Sequence, residues 1–228
     1  MKAYMVIFIA ALSSALCAQN YKVENISGNV RVLKGTSESY VKAVKGEALT
    51  PSDMIETGEK SSVSLKTEAG AFSLKENSAL SLNYLKNISK NDLILMLASE
   101  EIKAAPGKNK TQKSGSTAVY GADESSKTNI NLSKSEMGLK RLNGAMQLAE
   151  SGFKESSILA AKDTYKKYPS TKDKASYRIF FADKLAELGL YDEAYLEFTE
   201  ISALKLTAQE KETVSLRLGA IKKKMIAD

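Results

Sequence analysis

Residues 63–82 read VSLKTEAGAFSLKENSALSL. Apolar side chains fall on every second position: Val63 and Leu65, then Phe72 and Leu74, then Leu80 and Leu82. Serines and lysines fill the places between. A period of two sends one set of side chains into a core and the other into water, which is the signature of a half-exposed sheet. Strands are therefore predicted near Ser62–Thr67, Ala71–Lys75 and Ala79–Leu85, with a turn at Glu68-Ala69-Gly70. Toward the N-terminus the alternation continues through a short run from Tyr21, VRVL (Val30–Leu33) and YVKAV (Tyr40–Val44). Ser27-Gly28, Gly46, Thr50-Pro51-Ser52-Asp53 and Thr57-Gly58 supply the breaks. Toward the C-terminus, LILML (Leu93–Leu97) is a continuous apolar run and is assigned to the core of the same unit. Turn signals at intervals of about 8–12 residues point to an all-β sandwich, roll or barrel. This β-rich unit is expected over residues 19–103, or as far as about residue 122.

Beyond it the rhythm changes. Residues 104–136 are rich in Gly, Ser, Asn and Lys (PGKNKTQKSGS, DESSKTNINLSKSE), and only Thr117–Tyr120 resembles a strand; the stretch reads as a linker or a ragged domain edge. From Met137 the apolar period is 3.6. LKRLNGAMQLAES, KESSILAAKDTYKKY, KASYRIFFADKLAELG, DEAYLEFTEISAL and AQEKETVSLRLGAIKKKMI each carry a stripe at i, i+3, i+4, i+7. Ser151-Gly152, Pro169-Ser170-Thr171, Gly189-Leu190 and Leu206-Thr207 divide them. Five helices with short connections over residues 137–228 imply antiparallel packing. The predicted fold class is α+β in two segregated modules, an all-β unit followed by an all-α array.

The first 20 residues, MKAYMVIFIAALSSALCAQN, have one lysine, an apolar stretch from about Ala3 to Leu12, then small residues. This is the pattern of a secretory signal peptide, over residues 1–18, with cleavage after Ala18. The apolar core falls short of the roughly 20 residues that span a bilayer, and no later segment approaches that length. A competing reading places lipid on Cys17, since Ser14-Ala15-Leu16-Cys17 has the general form of a lipoprotein signal, with Leu16 as a departure; a third leaves the leader uncleaved as an anchor. The expected location is the periplasm or cell envelope. Under simple cleavage the mature chain carries no cysteine and no disulfide.

Composition narrows the functions. The chain has 228 residues, 43% hydrophobic and 26% charged, which is ordinary for globular proteins and excludes wholesale disorder. The net charge of +6 comes mostly from lysine, and no basic run is interleaved with aromatics as a nucleic-acid platform requires. Histidine is absent, which removes Ser-His-Asp and Cys-His mechanisms and the commonest metal ligand. Ser151-Gly152-Phe153-Lys154 has the Ser-x-x-Lys spacing of penicillin-binding serine enzymes, but neither SDN nor KTG follows, and the four residues fall on an interhelical turn. Glu100-Glu101 and Asp123-Glu124 are adjacent pairs that diverge on a strand, and Asp123-x-Ser125-x-Lys127 fails the calcium-loop pattern. No catalytic residue, cofactor or metal site is expected. Phe153, Tyr165, Tyr177, Tyr191 and Tyr195 remain as candidates for either an interaction surface or repeat packing. Lys222-Lys223-Lys224 complements the dipole of the last helix, or contacts an anionic lipid or polymer.

Two resemblances sharpen this outline. ADKLAELGLYDEAYLEF resembles the tetratricopeptide repeat: Ala182, Gly189, Tyr191, Ala194 and Phe198 hold its small, glycine, aromatic, alanine and aromatic positions. The preceding unit, GAMQLAESGFKESSILA, matches at Gly144, Ser151, Phe153 and Ser156, with Ala160 in place of the later aromatic. Phe153 and Tyr191 lie 38 positions apart, against about 34 for the family; PSTKDK near 169–174 accommodates the excess. The β half resembles the FecR-like domain in SGNVRVLKG and KGEALTPSDMIETGEKSSVSLKTEAGAFSLKENSALSL. Gly46, Leu49, Asp53, Ile55, Thr57 and Gly58 occupy its G…L…GD.I.TG block, with Ser52 where glycine is usual and Ala69 where the turn often has aspartate. Of the family's later motif only STAVYGAD (Ser116–Asp123) remains, without its arginine.

The resemblances imply an envelope-located β domain and a helical module that binds protein. The expected function is therefore a non-catalytic exported binding or scaffold protein, with an envelope protein or cell-wall polymer as partner and no nucleic acid. The alternative is a membrane-anchored sensor of FecR type; only Met1 and Lys2 precede the apolar core, so the cytoplasmic sigma-factor-binding arm of such regulators is expected to be missing. An enzyme working through carboxylates alone is the third class.

Overall fold

A computed structural model describes residues 21–68, 70–104 and 134–227. The leader, Cys17, STAVYGAD and Asp123-Glu124 lie outside them. The alternating segments form β1 (Tyr21–Ser27), β2 (Val30–Leu33), β3 (Tyr40–Lys42), β4 (Ala48–Leu49), β5 (Met54–Thr57), β6 (Ser62–Thr67), β7 (Gly70–Leu74) and β8 (Ala79–Ser81). They pair antiparallel in two four-stranded sheets, ordered β4-β1-β6-β7 and β3-β2-β5-β8. Val23, Leu65 and Phe72 from the first sheet and Val32, Ile55 and Leu80 from the second share one buried cluster. The two sheets thus make a small sandwich over a common core. All six apolar residues picked out of the 63–82 stretch are no more than 2% exposed. The last predicted strand is shorter than expected: after Ser81 the chain turns into a single 3-10 turn, Leu82–Tyr84, which still buries Leu82.

Asp53 and Thr57 brace this sandwich. The Asp53 carboxylate accepts the backbone N–H groups of Gly35 and Thr50, each at 2.8 Å, tying two loops together. The buried Thr57 hydroxyl donates to the Lys75 carbonyl at 2.6 Å and accepts from the Ser78 amide at 3.1 Å. Leu49 and Ile55 sit fully in the core.

The helices are α1 (Lys90–Ala104), α2 (Lys134–Glu150), α3 (Lys154–Lys167), α4 (Ala175–Glu187), α5 (Tyr191–Ser202) and α6 (Ala208–Ala227). The last five answer the five predicted, although α2 begins three residues before Met137, inside the expected linker. The first corrects the sequence reading. LILML belongs to a helix, and among the described residues the last strand ends at Ser81, short of the expected residue 103. The reason is a capping box. Ser89 Oγ accepts the Asp92 N–H at 3.1 Å, and the Asp92 carboxylate accepts both the Ser89 hydroxyl at 2.7 Å and its N–H at 3.3 Å. Leu93 then joins a helical core with Ile158, Ala182, Leu185, Ala194, Phe198, Val214 and Ile221. Glu100-Glu101 consequently lies on a helix and not on a strand.

The 3-10 turn Pro169–Asp173 links α3 to α4. Ala182 and Ala194, with no exposed surface, lie in the shared core of α4 and α5. Between those helices the backbone must reverse through a left-handed residue, and Gly189 provides it at φ +71°.

Candidate functional site at the sheet–helix seam

The two modules are not beads on a string. Helix α2 lies against the β8 edge of the second sheet, close enough that a Cβ on Gly144 would stand 2.2 Å from the Ala79 carbonyl oxygen. The polar side chains along that face of α2 all reach the sandwich. Asn143 Nδ2 donates to the Asn77 carbonyl at 2.7 Å. Gln147 accepts the Lys75 N–H at 2.6 Å and donates to Ser78 Oγ at 2.7 Å. Lys140 Nζ donates to Glu56 Oε1 at 2.6 Å and to the Thr57 carbonyl at 3.3 Å. The other Glu56 oxygen accepts from Arg31 at 2.9 Å. Glu56 has 1% of its side chain exposed and Lys140 11%, so this is a buried carboxylate held between two cations. From α3, Ser156 Oγ donates to the Lys86 carbonyl at 2.6 Å, and Leu148 of α2 enters the sandwich core.

A second charged cluster braces the helices. Glu197 on α5 accepts from Arg178 Nε at 2.6 Å and from Lys162 Nζ at 2.8 Å, while Arg178 also reaches Glu200 at 2.7 Å. Burial alone would raise the Glu197 carboxyl, but Lys162 and Arg178 outweigh it and hold it below the usual carboxylate range. Burial lowers Arg178 in turn, and its bonds to Glu197 and Glu200 more than reverse this, leaving it raised.

The candidate aromatic residues divide among three packing clusters. Phe153 is half-buried against the sandwich core. Tyr165 is buried among α2, α3 and α4 residues, with Tyr177 half-buried beside them. Tyr191 and Tyr195 pack against the other helical core. Tyr177 is spoken for, donating to Asn143 Oδ1 at 2.6 Å. The Tyr165 hydroxyl is buried with no hydrogen-bond partner among the described atoms, and burial pushes its pKa far up. These five residues therefore serve packing first, and they are not gathered into one groove.

The Ser-x-x-Lys spacing likewise dissolves. Ser151 Oγ donates back to the Gln147 carbonyl at 2.8 Å, and Lys154 Nζ pairs with Glu187 at 2.9 Å. Among the described residues, no three His, Cys, Asp or Glu side chains are placed to hold a metal ion, and no helix is long and apolar enough to cross a membrane. One open cleft of about 310 Å³ lies at the seam, between Thr67, Ala71 and Phe72 of the β6–β7 hairpin and Asn87, Ser151 and Phe153 opposite.

Compared with protein-family models, curated proteins and solved structures, the chain finds no match.

The residues that build the seam were missed in the sequence. Lys140, Asn143 and Gln147 recur at i, i+3 and i+7, which is equally the pattern of a solvated helix face. The one signal was Gly144 within that stripe, a glycine where a surface helix gains nothing from one.

Proposed function

We propose that the chain is an exported, non-catalytic binding or scaffold protein of the cell envelope, built from a FecR-like β domain and a tetratricopeptide-like helical module. The observation that carries this is how the seam is used. Lys140, Glu56, Asn143 and Gln147, the polar groups gathered where the halves meet, bond to one another, to neighbouring side chains or to backbone, which supports a joining role over a reactive one. The FecR-like likeness is supported by Asp53 and Thr57, which brace the sandwich at the block's own positions. The repeat likeness is supported by Ala182, Gly189, Ala194 and Phe198 in packing and turn roles. It is weaker in the first unit, where Gly144 serves contact with a strand instead of a helix crossing. Export rests on the leader pattern of residues 1–18.

The test is capture from envelope extracts by the leader-cleaved protein. Retention of a defined protein or cell-wall polymer is expected; retention of neither by the intact protein would overturn the reading. Intact mass of the native protein separates a soluble form beginning at Gln19 from one lipidated at Cys17 and from a sensor that keeps its leader.

A further inference from the structure

Four strands lie at sheet edges, and three of them are managed. β4 has two residues; β3 has three and carries exposed Lys42; β8 is covered by α2, whose Gly144 meets Ala79. Short length, lysine and a covering helix are the usual protections against strand addition. β7 is five residues long, GAFSL, pairs among the described residues only with β6, and has neither lysine nor proline.

Which of its backbone groups point outward follows from Lys75. The Lys75 N–H turns away from β6 and is met by Gln147 of α2 at 2.6 Å. Backbone groups alternate in direction along an antiparallel strand, so Ser73 and Ala71 turn the same way. Helix α2 ends at Glu150, and past Lys75 it offers them nothing; no bond from the outward side of Ala71 or Ser73 is formed among the described residues. The open cleft, with Asn87, Ser151 and Phe153 on its far wall, lies alongside this uncovered length.

The charge beside the edge selects the occupant. In register across the outer face of the sheet stand Lys22, Lys66 and Ala71. Two lysines directly opposite each other repel, and among the described residues no ion pair joins either to Glu24 or Glu68. A strand added to β7 would stand opposite Ala71, one strand beyond Lys66, and the long lysine side chain can reach across the small Ala71 methyl toward a carboxylate there.

We propose that the Gly70–Ser73 edge of β7 accepts an extended peptide segment of a partner protein, with carboxylates at alternate positions, by strand addition. This rests on the binding reading above and gives it a surface and a ligand class. The probe is an alternating glutamate–valine octapeptide, offered at millimolar concentration to the full leader-cleaved protein, with amide hydrogen exchange followed by NMR. Exchange at Ala71 and Ser73 is expected to slow at least about tenfold. The same peptide N-methylated at alternate residues should have no effect, and neither should an alternating lysine–valine peptide. Lys66→Glu should weaken binding about threefold, as one exposed charge pair allows.

Equal protection by the methylated peptide, or none by the parent, overturns the proposal. So does protection of the two amides that appears without peptide and rises with protein concentration, which would mean pairing with a second copy. Ala71→Pro, which removes an outward N–H that β6 does not use, separates this from the wider reading. If envelope capture survives that substitution and competition by the peptide, the edge is not the site and the binding function stands. If the unaltered protein captures nothing, the binding function falls, and the exchange measurement still decides the edge.

Discussion

Gly144 and Gly219 are both helical glycines, and a methyl group has opposite consequences at the two. At Gly144 it would meet the Ala79 carbonyl oxygen at 2.2 Å and its carbon at 2.9 Å, backbone atoms that cannot swing aside. Gly144→Ala must lift α2 from β8, at a cost of about 1–3 kcal/mol as for overpacked cores. At Gly219 nothing lies within 4 Å of the new Cβ, so Gly219→Ala should stabilise by about 0.5–1 kcal/mol through helix propensity alone. Urea unfolding of the two variants checks both signs. The buried, unpartnered hydroxyl of Tyr165 makes a third case. Tyr165→Phe removes a group that gave up its water for nothing, so stability should hold or rise by up to about 1 kcal/mol. A loss of more than that would reveal a hydrogen bond the hydroxyl makes in solution.

Among the elements, the α4–α5 pair carries a pH dependence of definite sign. Glu197 titrates below its ordinary value of 4.5 in the folded protein because Lys162 and Arg178 overcome the effect of burial. A carboxylate lowered on folding contributes stability that is complete above its unfolded pKa and lost as pH falls through the folded one. The melting temperature should therefore drop on acidification from about pH 5 downward, and Glu197→Gln should be less stable at neutral pH with a flatter acid limb. An unchanged limb in the variant would assign the effect to other carboxylates. The elements themselves were legible to different degrees. Alternation at Val63, Leu65, Phe72 and Leu74 set strand and buried face at once, because period and burial agree there. LILML failed because five successive apolar residues carry no period, and a buried strand and a helix segment look alike over that length. The resolving signal stood just outside the run, at Ser89 and Asp92. The same device, Thr207 with Glu210, opens α6.

At the scale of the molecule, the candidate site was the least legible part, for a reason of physics. Lys140, Asn143 and Gln147 are as polar as any exposed helix face, and whether water or a strand edge satisfies them depends on what the chain brings near. Glu56 stands in a strand whose neighbours are buried, yet nothing local announces that cations 25 and 84 positions away will flank it. Such a contact couples stabilities as well as positions. Glu56→Gln leaves Arg31 and the buried Lys140 without their shared anion, and removing one partner of a buried charge cluster costs about 3 kcal/mol. If the sandwich and helices were independent, that loss would fall on the sandwich and spare the distant helices. Leu148 inside the sandwich core and the Gln147 bridge argue for one cooperative unit. Peptide-resolved hydrogen exchange across a urea series should give residues 54–82 and 175–202 the same unfolding midpoint in the parent protein. Glu56→Gln should move both midpoints down together. Two separate midpoints, with only the 54–82 transition moving in the variant, would show that the seam holds the halves in contact without making them fold as one.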